Sequence, residues 1–364
     1  MPPRAPVPVL LAAALLAGGG GCKHIGPRTV VADRAAYNEA VAVSWKEQTL
    51  LNVVKLRYAD TPFFLDVPQI TSGYTLQGQA VATGAISPPT NPAATFAQQL
   101  GAGLNFQGAY QDRPTISYQP QTGSQFIRNI TSPINPGSVL FLLQSGYPAD
   151  LVFDLTVESI NGVRNRSVSG GQLRPADPAF TQMTRAMRKA QISGHAGIRV
   201  EQDKDKKDAV SFFFRDENID PELAAELTDV RRSLRLDPGR KDFRVTFGAT
   251  AERPNEIAIL SRSVLRILSE LGTCVDVPVE HQAAGIAPAV GDPGGDRGTP
   301  RFHVRSSRTR PCDPFVAVCY EGYWFWVEKT DFESKRTLAY LLVLLALSDT
   351  GARESLPVIT IQAN

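Results

Sequence analysis

The chain has 364 residues, of which 43% are hydrophobic and 20% are charged, and its formal net charge at pH 7 is +2. This length and apolar content are sufficient for an ordinary packed core, in one large domain or two smaller ones. A net charge so close to zero creates no field that would attract nucleic acid, so we expect no nucleic-acid partner.

The N-terminus has the pattern of a secretory signal. Arg4 precedes an apolar run at residues 7–17, and four glycines then lead to Cys22. A basic residue, an apolar segment and small residues before a cleavage site are typical of a signal peptide. We therefore predict that residues 1–21 are removed, that Cys22 is lipidated, and that residues 22–32 form a tether to the membrane.

The sequence around Cys22 leaves alternatives open. A lipobox usually has Leu three residues before the cysteine, where this chain has Gly19. The segment could instead be an uncleaved N-terminal anchor, or an ordinary cleaved signal that leaves Cys22 as a plain thiol. The apolar run is too short for a helix that spans the hydrocarbon core of about 30 Å. Lys23 stands where an Asp would signal retention in the inner membrane, which favours the outer membrane.

The first predicted elements are a helix and several strands. Apolar residues recur at 3- and 4-residue spacing over residues 33–59 and predict a long helix, which ends at Pro62. Pro68 interrupts the strand that follows and indicates an edge strand or a bulge. Residues 82–99 are predicted to be a loop. Alternation at residues 104–110 and 116–118 predicts a hairpin with its turn at residues 111–114.

Three predicted helices in the middle of the chain begin with the same sequence feature. Proline follows Asn135, Asp177 and Asp220, which places it in the first helical turn. Two further segments, residues 151–157 and 243–247, alternate apolar and polar residues and are predicted to be half-buried strands. A strand with one wet face is typical of antiparallel sheets.

The C-terminal third is predicted to contain two helices and a hairpin. Residues 257–271 are amphipathic with helical spacing, and Gly272 follows them. Residues 285–300 are rich in Gly, Pro and Asp, which predicts a loop. Residues 315–320 and 323–328 are predicted to pair around a turn at Glu321 and Gly322.

The last predicted helix begins with a capping box, Thr330 and Glu333. Its stretch 338–347 is apolar on every side and too short to span a bilayer, so we expect a helix that is buried all round. A final strand is predicted at residues 358–361.

This irregular alternation of strands and helices predicts an α+β fold, with antiparallel sheets, a long N-terminal helix and a buried C-terminal helix. Residues 161–176 are rich in Gly, Asn, Ser and Pro, so we place a boundary there. The expected subdomains are an N-terminal α+β domain at residues 33–168 and a C-terminal α+β domain at residues 176–364.

The remaining cysteines are Cys274, Cys312 and Cys319. In an oxidising compartment, three thiols allow at most one intramolecular disulfide. Cys312 and Cys319 would be about 23 Å apart on one extended strand, too far to bond. Cys274 could pair with either, or all three could be buried reduced thiols.

Catalytic signatures are mostly absent. We find no Gly-x-Ser-x-Gly, His-Glu-x-x-His, Walker or Cys-x-x-Cys motif. The four histidines do not converge in sequence, and each is expected to be solvated or to cap a helix. The Gly/Asp run at residues 291–296 lacks the regular spacing of a calcium loop. We therefore expect no metal, no cofactor and no assignable catalytic residue.

Two neighbouring segments are candidate binding sites. The first is the hairpin at residues 320–326, in which Tyr and Trp offer large contact area with few rotamers to freeze. Alternation places Tyr323 with Phe325 on one face and Trp324 with Trp326 on the other, with one face expected to pack on the last helix. The second is an arginine-rich stretch that could contact phosphate, lipid A or an acidic partner. The candidate binding residues are Tyr320, Tyr323, Trp324, Trp326, Arg305, Arg308 and Arg310.

Several segments resemble an uncharacterised family of bacterial envelope lipoproteins. They are residues 37–38, 45–58, 61–67, 113–118, 132–134 and 323–326, and the similarity covers most of the mature chain. The resemblance implies a signal peptide and a lipid anchor, and the glycine-filled lipobox departs from that pattern. It implies no activity, so it transfers no catalytic residue.

The leading hypothesis is a lipid-anchored, periplasm-facing lipoprotein that acts as a non-enzymatic accessory or scaffold in an envelope assembly. The membrane, through the lipid, and an envelope protein would be its partners. One alternative is an envelope hydrolase acting on cell-wall or glycan material. Another is a periplasmic ligand-binding protein.

The predicted anchor can be tested with Cys22→Ser. We expect this change to release the protein from the membrane fraction or to leave it unprocessed, because the acyl chains are lost. Mass spectrometry of the mature N-terminus gives the direct measurement. An unmodified N-terminus at any residue other than Cys22 would contradict the prediction.

Overall fold

A computed structural model describes residues 26–71, 74–86, 100–169, 172–202, 208–215, 217–288 and 302–348. Cys22, the predicted signal peptide and the predicted strand at residues 358–361 lie outside the described residues. The helices are α1 Gly26–Arg57, α2 Gly123–Thr131, α3 Pro136–Gln144, α4 Ala149–Thr156, α5 Pro178–Ser193, α6 Pro221–Ser233, α7 Val264–Gly272, α8 Val279–Ala283 and α9 Phe332–Ser348.

The first eight strands are β1 Phe64–Thr71, β2 Tyr74–Ile86, β3 Leu100–Asp112, β4 Thr115–Gln121, β5 Val157–Ile160, β6 Val163–Arg164, β7 Ser167–Ser169 and β8 Gln172–Arg174. The others are β9 Ala196–Gln202, β10 Asp208–Phe214, β11 Asp242–Phe247, β12 Glu256–Ser261, β13 Arg305–Ser307, β14 Val316–Tyr320 and β15 Tyr323–Val327. The expected α+β fold is confirmed. Among the described residues, no helix has the length and apolar character needed to cross a membrane.

A six-stranded sheet lies at the centre, in the order β6-β5-β12-β11-β10-β9. Its pairs are antiparallel except β11 with β12, which run parallel. A three-stranded antiparallel sheet, β13-β15-β14, carries the C-terminal hairpin. The antiparallel prediction therefore holds for every described sheet pair but one.

Helix α1 begins at Gly26, so part of the predicted tether at residues 22–32 is helical. Its N-terminal half is mostly exposed, whereas Leu50, Val53 and Val54 near the other end are fully buried. The helix thus has two parts, an arm that extends into solvent and a segment that belongs to the core. At 1.5 Å per residue, the whole helix is about 48 Å long.

Two predicted elements in the middle of the chain are wrong. Residues 151–157, predicted to be a strand, form most of helix α4 and only the start of β5. Leu151, Val152, Phe153 and Leu155 are all buried, so the alternation of apolar and polar residues does not mark one buried face of a strand. The helix predicted at residues 257–271 is wrong in its first part, because residues 257–261 belong to strand β12, and right in its second part, where α7 runs from Val264 to Gly272. A central strand is buried on both faces, so its continuous apolar run resembles that of a helix.

The three predicted helix starts with proline are confirmed. Helices α3, α5 and α6 each have Pro in the first turn, and the side chains of Asn135 and Asp220 accept backbone N–H bonds at α3 and α6. At the last helix, however, Asp331 and not Thr330 provides the cap. The Asp331 carboxylate accepts bonds from the N–H and the hydroxyl of Ser334, at 3.0 and 2.5 Å.

The predicted hairpin between residues 104–110 and 116–118 is also wrong. Strand β3 pairs with β2, and β4 pairs with β1, so four strands form two nested antiparallel pairs. Residues 82–86, predicted to be a loop, belong to β2. The expected bulge is present, because the β1–β4 register shifts between Asp66 and Gln69, around Pro68.

Helix α9 is not buried on all sides. Leu338, Leu341 and Leu344 are fully buried, whereas Leu342 and Leu345 are half-buried and Leu347 is 41% exposed. The half-buried pair lines an apolar groove between α1, β1 and α2. Helix α9 therefore has two apolar faces, one that packs against the core and one that lies along this groove.

One cluster of buried residues runs through the molecule. It contains Leu50 of α1, Val157 of β5, Phe243 of β11 and Leu341 of α9. The central sheet also combines β5 and β6 with strands that follow residue 176. Two separate subdomains are therefore not confirmed.

Leu341→Ala is expected to destabilise the protein strongly. Truncation of a fully buried leucine removes apolar burial and leaves a cavity, at a cost of about 2–5 kcal/mol in the free energy of unfolding. Leu347→Ala, on an exposed position of the same helix, is the matched control and should change stability little. Chemical denaturation followed by circular dichroism measures both, and equal effects would contradict this assignment of the two faces.

Candidate binding surface

The sheet β13-β15-β14 brings together most of the residues predicted to bind a partner. Strands β14 and β15 are joined at Glu321 and Gly322, which have φ angles of 48° and 76°. A two-residue loop with both φ values positive is the turn that matches the twist of a hairpin. The predicted turn is confirmed. Strand β13 adds to the other edge of β15 and pairs Arg305 with Trp326.

One face of this sheet is buried. Tyr323, Phe325 and Val327 of β15 point inward, with Phe325 fully buried. The ring of Phe325 meets the ring of Tyr58, just after α1, with centroids 5.9 Å apart. This face therefore packs against the C-terminal end of α1, and not on the last helix as predicted.

Tyr58 is the centre of the buried aromatic contacts. Its hydroxyl lies 2.7 Å from Nδ1 of His281, which is 7% exposed, and the His281 ring lies 4.7 Å from the ring of Tyr323. His281 was expected to be solvated or to cap a helix, and this is wrong because α8 carries it into the aromatic cluster. Burial raises the pKa of Tyr58 to about 12, so its hydroxyl is neutral at physiological pH.

Tyr320, at the end of β14, is fixed in a similar way. Its hydroxyl donates to Oδ2 of Asp60 at 3.1 Å, and its ring contacts the ring of Tyr58. Burial and the Asp60 carboxylate raise the pKa of Tyr320 to about 12. The N–H of Thr61 and the Tyr320 hydroxyl lower the pKa of Asp60. Tyr320 therefore serves as a link between the hairpin and the end of α1.

Arg308 is also used within the protein. Its Nε donates to the Tyr323 hydroxyl at 2.7 Å, and its Nη2 lies 3.3 Å from Oε1 of Glu280 in α8. The bond to Tyr323 is the main reason that the pKa of Arg308 is raised. Tyr320, Tyr323 and Arg308, three of the predicted binding residues, thus hold the hairpin in place.

The opposite face of the sheet is open to solvent. Trp324 and Trp326 are half-buried there, and the exposed Arg310 guanidinium lies 5.1 Å from the centre of the Trp324 ring. Cys319 is exposed on β14, directly opposite Trp324. We call Trp324, Trp326, Arg310 and Cys319 the tryptophan face. Arg305 lies at its margin, where it pairs with Glu328 at 3.1 Å.

None of the three cysteines in the described part of the chain forms a disulfide. Cys274, Cys312 and Cys319 are free thiols, and the last two are exposed, so they are not buried as one alternative had it. His195 lies 2.9 Å from the Ser193 hydroxyl, and His303 lies 2.8 Å from Asp276. Within the described part of the chain, no three His, Cys, Asp or Glu residues are placed to hold a metal ion.

The structure also contains a buried charge cluster that the sequence analysis did not predict. Arg262 is 1% exposed and its Nε donates to Glu158 at 2.9 Å. Glu270, also 1% exposed, pairs with Arg266 at 3.3 Å and accepts the N–H of Val168 at 2.8 Å. Arg262 and Glu158, like Glu270 and Val168, are about 100 residues apart in the chain, so no local spacing could reveal these two contacts. Arg266 and Glu270 are four residues apart on α7, but this spacing does not show that Glu270 is buried. All the contacts are internal, which indicates a structural role.

The apolar groove beside α9 bears on the enzyme hypothesis. Its walls include Trp45, Phe64, Phe126 and Leu342, and its lining contains Asp66 as one carboxylate and no histidine. A hydrolytic site needs a general base within hydrogen-bond reach of its substrate, commonly paired with a second acid or a nucleophile. This groove offers no such pair among its lining residues.

Comparison with known proteins gives no relative. No family model, no curated protein and no solved structure matches this chain.

Tyr58→Phe tests the role of the aromatic cluster. The change leaves the buried Nδ1 of His281 without its partner, which should lower the free energy of unfolding by about 1–3 kcal/mol. Tyr118→Phe, at a position 62% exposed on β4, should have almost no effect. Denaturant titration of both variants makes the comparison, and an unchanged Tyr58→Phe would show that the hydrogen bond contributes little.

Proposed function

We propose that this protein is a lipid-anchored lipoprotein of the cell envelope, facing the periplasm, that binds an envelope protein through the tryptophan face. The observation that supports this most is the pair Trp324 and Trp326 on the solvent side of a sheet whose other side is fixed to the core. Binding, and not catalysis, is the activity that such a surface suits.

The tryptophan face has the composition of an interaction hot spot. Tryptophan and arginine are the side chains that most often dominate binding energy, because they offer large area and few rotamers. Trp324 and Trp326 are two residues apart on one strand and so lie side by side. The sheet beneath them is held by Tyr58, Tyr320 and Arg308, so little ordering is needed when a partner binds.

Arg310 suggests the chemistry of the partner. Its guanidinium lies over the Trp324 ring, and no ion pair with a carboxylate of the described residues is formed. A guanidinium next to an aromatic ring can still donate two parallel hydrogen bonds to a carboxylate. We therefore propose a protein partner that offers an acidic side chain opposite Arg310.

Helix α1 suits this function. Its exposed N-terminal half would connect the predicted lipid at Cys22 to the folded body, and its C-terminal end contacts the hairpin. The tryptophan face is then at the end of α1 away from the membrane. A scaffold with this geometry holds its binding surface in the periplasm while it stays attached to the bilayer.

The test is photo-crosslinking in intact cells, with benzoylphenylalanine in place of Cys319 as the probe. We expect one protein to be trapped, and Trp324→Ala to weaken its capture at least tenfold, as loss of a hot-spot tryptophan does. Arg310→Glu should also weaken it if the partner surface is acidic.

Trp45→Ala is the matched control, because Trp45 is 39% exposed but lies on α1. Capture that survives Trp324→Ala, or that is lost equally with Trp45→Ala, would contradict the proposal. Turnover of a cell-wall fragment by the purified protein, abolished by a single His or acid substitution, would support the hydrolase instead.

A further inference from the structure

Strands β1 to β4 form two antiparallel pairs that share one register from Gln69 onward, and we call them together the ribbon. The pairs Gln69↔Ser117, Thr71↔Thr115, Tyr74↔Asp112 and Ile86↔Leu100 share one register, in which the two residue numbers always add to 186. The β2–β3 part continues the β1–β4 part without a shift. Each pair is a two-stranded sheet of its own, so no further described strand covers the edges of the ribbon.

The ribbon lacks charge over most of its length. Residues 67–111 contain no Asp, Glu, Lys, Arg or His, a run of 45 residues in a chain that is 20% charged overall. At the average of the chain, such a run would hold about nine Asp, Glu, Lys or Arg residues. Edge strands exposed to water usually carry charged residues that prevent aggregation. A water-exposed ribbon is therefore a poor explanation of this sequence.

The register divides the uncharged residues into two kinds. Because even positions pair with even positions, they share one face of the β2–β3 ribbon, and odd positions share the other. The even positions are Tyr74, Leu76, Gly78, Ala80, Ala82, Gly84, Ile86, Leu100, Ala102, Leu104, Phe106, Gly108 and Tyr110, before Asp112. The odd positions are Thr75, Gln77, Gln79, Val81, Thr83, Ala85, Gly101, Gly103, Asn105, Gln107, Ala109 and Gln111.

One face is thus apolar, with tyrosines near one end, and the other is polar but uncharged. This is the alternation that strands show where one side contacts lipid. Each strand has 13 residues, or about 43 Å at 3.3 Å per residue. Tilted by about 40°, such a strand covers about 33 Å along the bilayer normal, close to the hydrocarbon thickness of about 30 Å.

The base of the ribbon fixes its direction. Gln48 of α1 exchanges two hydrogen bonds with the backbone of Leu65, at 2.7 and 3.1 Å, and Asn52 exchanges two with Phe63, both at 2.9 Å. As residue numbers rise along β1, those of their partners on α1 fall. The ribbon therefore leaves the body towards the N-terminal end of α1.

The N-terminal part of α1 and the first part of the ribbon also match in length. From Gln48 to Gly26 the helix extends about 33 Å, and an extended chain of the length from Leu65 to Tyr74 covers about 30 Å. Continued in these directions, the uncharged strands begin near the level of the start of α1. That is where the proposed lipid at Cys22 would enter the membrane.

We propose that the β2–β3 ribbon inserts into a lipid bilayer, with its even-numbered face against the acyl chains. Open sheet edges are not stable in hydrocarbon, so the edges of the inserted ribbon pair with the ribbons of further copies of this chain. The protein then has a second attachment to the membrane. Its direction relative to the anchor rests on the proposed lipidation, whereas its affinity for lipid does not.

The test uses the mature chain, residues 22–364, with Cys22→Ser, so that neither the signal segment nor an acyl chain contributes. Purified protein in detergent is mixed with phosphatidylcholine vesicles, the detergent is removed, and the fraction that floats on a density gradient is measured. We expect the protein to float with the vesicles, and chemical crosslinking in them to give multiples of the chain mass.

The matched variants are Phe106→Arg and Gln107→Arg. Residue 106 is the midpoint of β3 and lies on the apolar face, where an arginine in hydrocarbon should lower partitioning at least tenfold. Residue 107 lies on the other face, and its variant should float within twofold of the parent. Thermal unfolding of each variant serves as the folding control.

Three outcomes would overturn the proposal. In the first, the parent stays at the bottom of the gradient. In the second, the two variants lose flotation equally, and in the third, crosslinking in vesicles gives only the monomer. A further result would assign the apolar face differently. If the parent does not float, forms a dimer in lipid-free buffer, and is dissociated by Phe106→Arg, the apolar face is an interface between copies of the chain. None of these results depends on whether Cys22 is lipidated or whether the tryptophan face binds a partner.

Discussion

The buried guanidinium of Arg262 is the constraint on which the arrangement of the core depends. It follows directly after β12, a central strand, and is 1% exposed. Its nitrogens donate to the Glu158 carboxylate and to the carbonyls of Asp154, Leu155 and Arg166. A charge removed from water must find such partners, because its desolvation is otherwise very costly. Helix α4, strand β5 and the segment before β7 are therefore held together at one side chain.

Arg262 also forms two hydrogen bonds through its backbone. The N–H of Arg262 donates to Thr156 at 2.7 Å, and its carbonyl accepts the N–H of Ile134 at 3.1 Å. The buried Glu270 and its half-buried partner Arg266 lie on the next helix, α7, and Glu270 connects this helix to β7 through the N–H of Val168. Segments from residue 134 to residue 270 thus converge on one polar cluster. This convergence explains why the glycine-rich stretch after β5 does not separate two independent cores.

Helix α1 relates the two surfaces to which we assign functions. At its C-terminal end, Tyr58 anchors the buried side of the hairpin whose other side is the tryptophan face. Closer to its middle, Gln48 and Asn52 hold the start of the ribbon. The ribbon leaves towards one end of α1 and the hairpin packs at the other. In the proposed function, one end of the molecule therefore contacts lipid and the other contacts a protein partner.

The elements that could be predicted from the sequence are those whose signals are local. Prolines after Asn135, Asp177 and Asp220 marked three helices, and Glu321 with Gly322 marked the hairpin turn, because caps and turns depend on neighbouring residues. Alternation also assigned Phe325 and Trp324 to opposite faces of β15. Three contacts could not be predicted in this way: the inner face meets Tyr58 at the end of α1, His281 is buried, and β3 pairs with β2. Each of these contacts depends on which distant segment of the chain packs against the residue. Such packing leaves no signal in the spacing or the type of the neighbouring residues, so it cannot be read from the sequence.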